Sequence, residues 1–222
     1  MAESLRRLLG DLHAERVATW DPAVLQVNID QRRTLEDTAD PSAWIKPGDK
    51  APSFRLPEVD GGEVTLAGLT ANGPAVLIFF RFAGCPACNI ALPYYARTLW
   101  PALKALGATL TAVSPQVPDR LVEIKRRHDL EFNVASDGNT LGGQFGVLYE
   151  FDEPSKAAAR AKGAFIGDTT GTGDWRLPMP AVVVLDREGV ARFVDVSPDW
   201  LVRTESAPII EAVRALSLAT VA

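Results

Sequence analysis

Six consecutive apolar residues, Ala75-Val-Leu-Ile-Phe-Phe80, run into the short stretch Arg81-Phe-Ala-Gly84 and then into Cys85-Pro86-Ala87-Cys88. A strand with no polar face must be covered on both sides, which an α/β sheet with helices on both faces provides. Downstream, Ile90, Leu92, Tyr95, Leu99 and Leu103 recur at helical spacing, so CPACNIALPYYARTLWPALKAL is expected to form one helix. The cysteines therefore fall where a buried strand feeds a helix N-terminus.

The flanking pattern extends this reading. Ser53–Leu56 and Glu63–Leu66 are expected as short strands around the Val59-Asp60-Gly61-Gly62 turn. Ala108–Ser114 reads as a second buried strand, Asp119–His128 as an amphipathic helix, Phe132–Ala135 as a short strand and Asn139–Phe145 as helical. Residues 149–176, with the Gly-rich GDTTGTGDW, read as a long surface excursion outside the core. Ala181–Leu185 and Ala191–Val196 make a strand pair across Asp186–Gly189, and a last helix is expected over Glu205–Leu218. The order implies a central mixed β-sheet with helices on both faces.

Ahead of this domain lies an arm. Leu5, Leu8, Leu9, Leu12 and Val17 share one face of a helix over residues 3–20, and VLQVNIDQRRTLED supports a weaker second one. The Pro- and Asp-rich TADPSAWIKPGDKAP then marks a boundary, which places an N-terminal helical arm at 1–46 and the main domain at 47–222. The arm's apolar stripe is expected to pack back on its own domain, with a homodimer contact as the alternative.

Composition excludes several partners. With 28 acidic against 23 basic residues and a net charge of −5, the chain lacks the basic footprint of a nucleic-acid binder. No basic block suggests an anionic membrane, and neither a signal peptide nor a spanning segment is legible, so a cytosolic location is expected. In a reducing compartment a C-x-x-C pair is a metal half-site or a catalytic couple. Zinc needs about four ligands, and the only histidines, His13 and His128, have no neighbouring ligand. GDTTGTGDW lacks the Lys-Ser/Thr of a phosphate loop, so no cofactor is expected.

Redox chemistry fits the placement. The unpaired N–H groups and the dipole at a helix N-terminus favour thiolate, the nucleophilic form. Pro86 sits where its missing N–H costs nothing and stiffens the link between the sulfurs. The spacing lets the second sulfur release a mixed disulfide formed at the first.

Pro93, five residues after Cys88, resembles the helix-kinking proline of thioredoxins. Met179-Pro180 stands ahead of a strand where thioredoxin-fold oxidoreductases place a cis-proline facing the active site; the plain alternative is a proline opening a strand. In order along the chain, Gly48-Asp49-Lys50-Ala51-Pro52-Ser53-Phe54, Phe80-Arg81, Cys85-Pro86-Ala87-Cys88-Asn89, Val113-Ser114-Pro115-Gln116, Phe145-Gly146-Val147, Leu177-Pro178-Met179-Pro180-Ala181 and Val196-Ser197-Pro198-Asp199-Trp200 resemble the peroxiredoxin-like, C-x-x-C branch of the alkyl-hydroperoxide-reductase/thiol-specific-antioxidant superfamily.

The resemblance implies a thioredoxin-like fold and a thiol-dependent antioxidant oxidoreductase. Laid on the P-x-x-x-T-x-x-C signature of ordinary peroxiredoxins, Cys88 takes the peroxide-attacking position, Cys85 replaces the threonine and Arg81 the proline. Pro180 falls where those enzymes carry an arginine. Arg81 or Arg176 would then have to supply a cation beside the sulfur, and Trp175 and Trp200 are candidates for the site rim. Three readings stay open: a peroxidase with Cys88 as nucleophile and Cys85 resolving, a thiol–disulfide oxidoreductase with Cys85 attacking, and a non-enzymatic redox sensor. The first two require a peroxide or disulfide substrate and an external thiol reductant, thioredoxin-like or of low molecular weight.

Overall fold

The computed structural model describes residues 3–219. Two helices open it, α1 (Leu5–Thr19) and α2 (Pro22–Thr38). Ser4 Oγ caps the first by accepting from Arg7 N at 3.3 Å, and Asp21 caps the second by accepting from Ala23 N at 2.8 Å. A hairpin of β1 (Arg55–Pro57) and β2 (Glu63–Thr65) leads through α3 (Leu66–Thr70) into β3 (Ala75–Phe79). Then come α4 (Pro86–Thr98), α5 (Trp100–Ala105), β4 (Thr109–Ser114), α6 (Pro118–Arg127), β5 (Asn133–Ser136) and α7 (Thr140–Gln144). The chain continues through β6 (Leu148–Glu150), α8 (Glu153–Ala161), α9 (Ile166–Thr170) and β7 (Arg176–Pro178) to the hairpin β8 (Ala181–Leu185) and β9 (Ala191–Val196), and closes with α10 (Ser206–Ala219).

The central sheet has the order β5-β4-β3-β8-β9, with β3, β4 and β5 parallel and β8 and β9 antiparallel to their neighbours. It is the mixed sheet that the sequence implies. Every residue of β3 is buried because both faces are covered. Val76, Ile78 and Phe80 join the core beneath α4, α5, α6 and α10, while Ala75, Leu77 and Phe79 join a second core beneath α3, α7 and the β1–β2 hairpin. The strand's alternation of side chains thus feeds two layers from one apolar run.

Two expectations are corrected. The segment after Cys85 forms two helices that break at Leu99, because Pro101 lacks an amide to donate and its ring crowds the carbonyl of the preceding turn. Residues 149–176 are not an excursion: β6 and β7 pair antiparallel, and α8 and α9 lie between them. Asp152 caps α8 by accepting from Ser155 N at 2.9 Å, and Tyr149, Ile166 and Thr170 are buried, so this segment packs into the domain.

The arm packs on its own domain. Leu5 and Leu9 enter the core that holds α4, and the Glu205 carboxylate accepts from Ser4 Oγ, Leu5 N and Arg6 N at 2.9, 3.1 and 3.0 Å. A carboxylate at the first turn satisfies helix amides that would otherwise be orphaned.

Candidate redox active site

Cys85 is the residue immediately ahead of α4 and Pro86 is its first residue; the amides of Cys88 and Asn89 both donate to the Cys85 carbonyl at 3.0 Å. The 81–84 stretch is clamped from several sides. Asn89 Nδ2 donates to the carbonyls of Ala83 at 2.7 Å and Cys85 at 2.9 Å. From the end of β4, Ser114 Oγ donates to the Arg81 carbonyl at 3.0 Å and Gln116 Oε1 accepts from Ala83 N at 2.8 Å. Gln116 Nε2 donates in turn to the Thr169 carbonyl at 3.1 Å, which ties this loop to α9. The Ser-Pro-Gln triplet therefore works as a brace for the dithiol loop.

Both thiols are free, with 2% of Cys85 and none of Cys88 exposed. Arg203, itself 7% exposed, donates from Nη2 to Cys88 Sγ at 3.5 Å. It is delivered by the segment between β9 and α10, which two tyrosines of α4 pin down. Tyr95 Oη donates to the Thr204 carbonyl at 2.7 Å and Tyr94 Oη to Glu205 at 2.6 Å. A short side chain on α4 and a long one on the C-terminal segment thus meet at the sulfur.

The two sulfurs are driven apart electrostatically. Burial pushes the Cys88 thiol up, but a hydrogen bond from Cys85, the charges of Arg203 and Arg81 and the Arg81 backbone outweigh it and hold Cys88 well below the ordinary thiol range. Cys85 is pushed well above that range by its hydrogen bond to Cys88, by burial and by the Cys88 charge, with Arg81 and Arg203 opposing. Both shifts point the same way, favouring the negative charge on Cys88 and the proton on Cys85. The hydrogen bond from Cys85 and the Arg203 guanidinium at Cys88 Sγ favour the charge on Cys88, while Arg81 hydrogen-bonds the Cys85 side.

A second group of cations surrounds the indole of Trp200. The Cζ atoms of Arg81, Arg16 and Arg32 lie 4.9, 5.6 and 5.7 Å from its ring centroid. Arg16 comes from α1 and Arg32 from α2, so the arm forms a wall of the site. Arg32 is paired with Asp199 at 2.9 Å. Arg81 also lies over Phe151, and the buried Tyr149 beside it keeps its phenol protonated, pushed up to about 12 by burial against the pull of Arg81.

Of the residues singled out from sequence, Cys85, Cys88, Pro86, Arg81 and Trp200 come together. Pro180 immediately precedes β8, its carbonyl accepting from Ser197 N at 2.8 Å, and among the described residues no hydrogen bond joins it to the dithiol. Among the described residues no peptide bond is cis, so Met179-Pro180 is trans and the cis-proline expectation is corrected: Met179 N is held by the Val147 carbonyl at 2.8 Å, in line with a strand-opening proline. Arg176 is corrected as well. Its guanidinium is engaged by Asp174 at 2.6 Å on the surface. Trp175 stands one layer out, against Phe151 and Phe165 at 5.7 and 4.7 Å. Sequence reasoning missed Arg203, Arg16, Arg32 and Tyr149; Arg203 lies three residues past the Ser-Pro-Asp-Trp motif, which was the available signal.

Among the described residues no group of three or more His, Cys, Asp or Glu is arranged to hold a metal ion, and no helix is long and apolar enough to cross a membrane. A buried dithiol at a strand–helix junction, its inner sulfur accepting from a buried arginine, defines a thiol-dependent redox protein on a thioredoxin-like scaffold. Residues 47–194 match the model of the AhpC/TSA family, and the chain belongs to it. It is similar to a putative peroxiredoxin of Mycobacterium tuberculosis, 28% identical over 57% of this chain and 81% of the relative. Peroxiredoxin Bcp of Escherichia coli K12 is 32% identical over 48% of this chain and 67% of that protein. The crystal structure of peroxidoxin BcpB from Mycobacterium tuberculosis superposes with a TM-score of 0.61 at 20% identity, covering 78% of this chain and 98% of that one.

Proposed function

We propose that this thiol-dependent antioxidant oxidoreductase reduces hydroperoxides with Cys88 as the attacking sulfur and Cys85 as the resolving one. The observation that carries the reading is the contact of Arg203 with Cys88 Sγ at 3.5 Å, which together with the Cys85 hydrogen bond puts the negative charge on Cys88. The thiolate attacks the terminal peroxide oxygen, the O–O bond breaks, and the departing alkoxide takes up a proton to leave as alcohol, or as water from hydrogen peroxide. Cys88 is then a sulfenic acid. Cys85 sulfur attacks it, hydroxide leaves with a proton as water, and the Cys85–Cys88 disulfide has formed. Two external thiols, from a thioredoxin-like protein or a low-molecular-weight thiol, restore the dithiol and become a disulfide themselves. The cytosol supplies such reductants.

Each support residue has a role in that cycle. Pro86 fixes the start of α4, Arg81 adds positive charge and a backbone contact at Cys88, and Pro180 sets the start of β8. Stopped-flow oxidation of the reduced protein by hydrogen peroxide tests the order of attack. Cys85→Ser is expected to keep the fast first step and stop at sulfenic acid, whereas Cys88→Ser is expected to lose it. Fast reduction of insulin disulfides requiring Cys85, with sluggish oxidation by peroxide, would assign the protein to disulfide exchange instead.

A further inference from the structure

The cations beside the dithiol exceed what the thiolate needs. Arg203 answers Cys88 and Asp199 answers Arg32. Arg16 and Arg81 pair with no carboxylate among the described residues, although Arg16 is 5% exposed, and the Arg81 guanidinium meets only the cysteine side with one hydrogen bond, to Cys85. Several buried donors around them have no protein partner: Arg16 Nη1, Arg32 Nε, Arg81 Nε, Tyr149 Oη and Trp200 Nε1. Burial pulls the Arg16 guanidinium down from its ordinary value, and the like charges of Arg81 and Arg32 add to that pull against Cys85. Buried polar groups are normally satisfied, and buried cations are normally paired. Donors from α1, α2 and the dithiol loop converge on one indole, with Tyr149 of β6 beside Arg81, and fit an acceptor that binds there.

We infer that Arg16, Arg32, Arg81, Tyr149 and Trp200 form an anion subsite beside the dithiol, which takes the carboxylate of an organic reactant whose far end reaches the sulfurs. Guanidinium forks match a planar carboxylate in two-point geometry. The faces of Trp200, Phe82 and Phe151, which already lie against Arg81 at 4.9, 5.8 and 5.9 Å, suit the hydrocarbon joined to such a group. Nothing comparable favours a bulky polyanion, because the donors are enclosed by the arm. Two reactants in the cycle can carry that carboxylate: the hydroperoxide and the reducing thiol. The subsite rests on the peroxidase reading only for which of these it serves.

Three measurements on the full chain test the inference. Calorimetric titration of the reduced protein compares hexanoate with hexanamide, at fixed ionic strength, in wild type, Arg16→Gln and Arg16→Lys. Hexanoate alone is expected to bind wild type, about tenfold or more weaker to Arg16→Gln, with partial recovery in Arg16→Lys. Stopped-flow kinetics then compare 6-hydroperoxyhexanoate with its methyl ester, and reduction of the disulfide form compares 3-mercaptopropionate with 3-mercaptopropionamide. A preference for the acid in the first pair that shrinks in Arg16→Gln assigns the subsite to the peroxide; the same pattern in the second pair assigns it to the reductant. Equal binding of hexanoate and hexanamide, or no binding of either while hydrogen peroxide still oxidises Cys88 rapidly, overturns the subsite and leaves the peroxidase intact. Inorganic phosphate displacing hexanoate at lower concentration than hexanoate itself requires overturns the carboxylate assignment. Far-ultraviolet circular dichroism and the denaturant unfolding midpoint, unchanged in Arg16→Gln, separate loss of the subsite from loss of folding.

Discussion

At the α7 end of the sheet, the buried Asp137 carboxylate accepts from Gly142 N at 2.8 Å and Asn139 N at 3.1 Å. In the β8–β9 turn, Asp186 accepts from the amides of Glu188 and Val190 at 3.0 and 2.9 Å and from Arg192 Nε at 2.6 Å. These charges are spent on the fold. Around the dithiol the bookkeeping is reversed: Arg16, Arg32, Arg81 and Arg203 each retain a buried nitrogen with no protein partner. A charge whose hydrogen bonds are all met within its own turn or hairpin stabilises that turn, while a cation left with capacity is held ready for something that comes and goes. The difference separates scaffold from site without reference to any relative.

The largest expected effect belongs to the scaffold. Phe145 is fully buried in the core beneath α3 and α7 and packs against Phe79 with ring centroids 5.5 Å apart. Phe145→Ala is expected to cost about 3–5 kcal/mol in denaturant unfolding. The folded fraction should keep the wild-type rate of oxidation by hydrogen peroxide, since that core lies on the far side of β3 from Cys88. A slowed rate in fully folded protein would break the separation of the two regions.

Arg203→Gln is the matching change at the site. Removing a charge-assisted hydrogen bond from the thiolate is worth about 1.5–3 kcal/mol, so the oxidation rate at neutral pH should fall about ten- to a hundredfold. The pH dependence follows from the same contact. With Cys88 held below the ordinary thiol range, the wild-type rate is expected to stay flat from alkaline through neutral pH and to drop only on the acid side. In Arg203→Gln the midpoint moves upward, toward the free-thiol value. An unmoved midpoint measured by stopped flow would remove Arg203 from the chemistry.

Much of this contrast was legible in the sequence only on one side. The run Ala75–Phe80 and the Cys85-Pro86 start of a helix state their own environment, because burial on both faces and an N-terminal cap are written within a few consecutive residues. Arg16 and Arg203 carry no such local mark. Each sits in an ordinary polar position of its own segment, and only the docking of α1 and of the 203–205 segment on α4 brings it to the sulfurs. The Pro101 break and the Asp152-Pro154 start of α8 were local signals, but a long apolar pattern in one case and a Gly-rich neighbourhood in the other masked them. Pro180 misled for the opposite reason: a motif shared with thioredoxins here introduces a strand through a trans bond.

Glu205 lies between scaffold and site and gives a smaller effect. Burial raises its carboxyl, but hydrogen bonds from Arg6, Tyr94, Leu5 and Ser4 hold it below the usual carboxylate range. A depressed carboxyl stabilises the fold above its unfolded value of about 4.3 and loses that contribution as pH falls through the folded value. Docking of the arm is therefore expected to be intact at neutral pH and to loosen only in acid. Glu205→Gln removes the carboxylate cap from α1 at every pH, at a cost of about 1 kcal/mol. Proteolysis of the 39–52 connection should be faster in the variant at pH 7, and the pH dependence of that rate should flatten.

Arg176 gives the smallest effect and is the sharpest control. Its guanidinium is about half exposed and its pair with Asp174 lies two residues away in sequence, a geometry that typically contributes less than about 1 kcal/mol. Asp174 remains supported in its absence, since Arg176 N and Thr172 Oγ1 also donate to it, at 3.0 and 3.2 Å. Arg176→Ala is expected to change unfolding stability by no more than about 0.5 kcal/mol and to leave the oxidation rate and its pH midpoint at the wild-type values. Set beside Arg203→Gln, it varies the same side chain chemistry while changing only whether the cation touches a sulfur. If both variants slowed oxidation alike, long-range positive charge rather than the Arg203–Cys88 contact would govern the thiolate, and a midpoint shift that shrinks in high salt for both would show it.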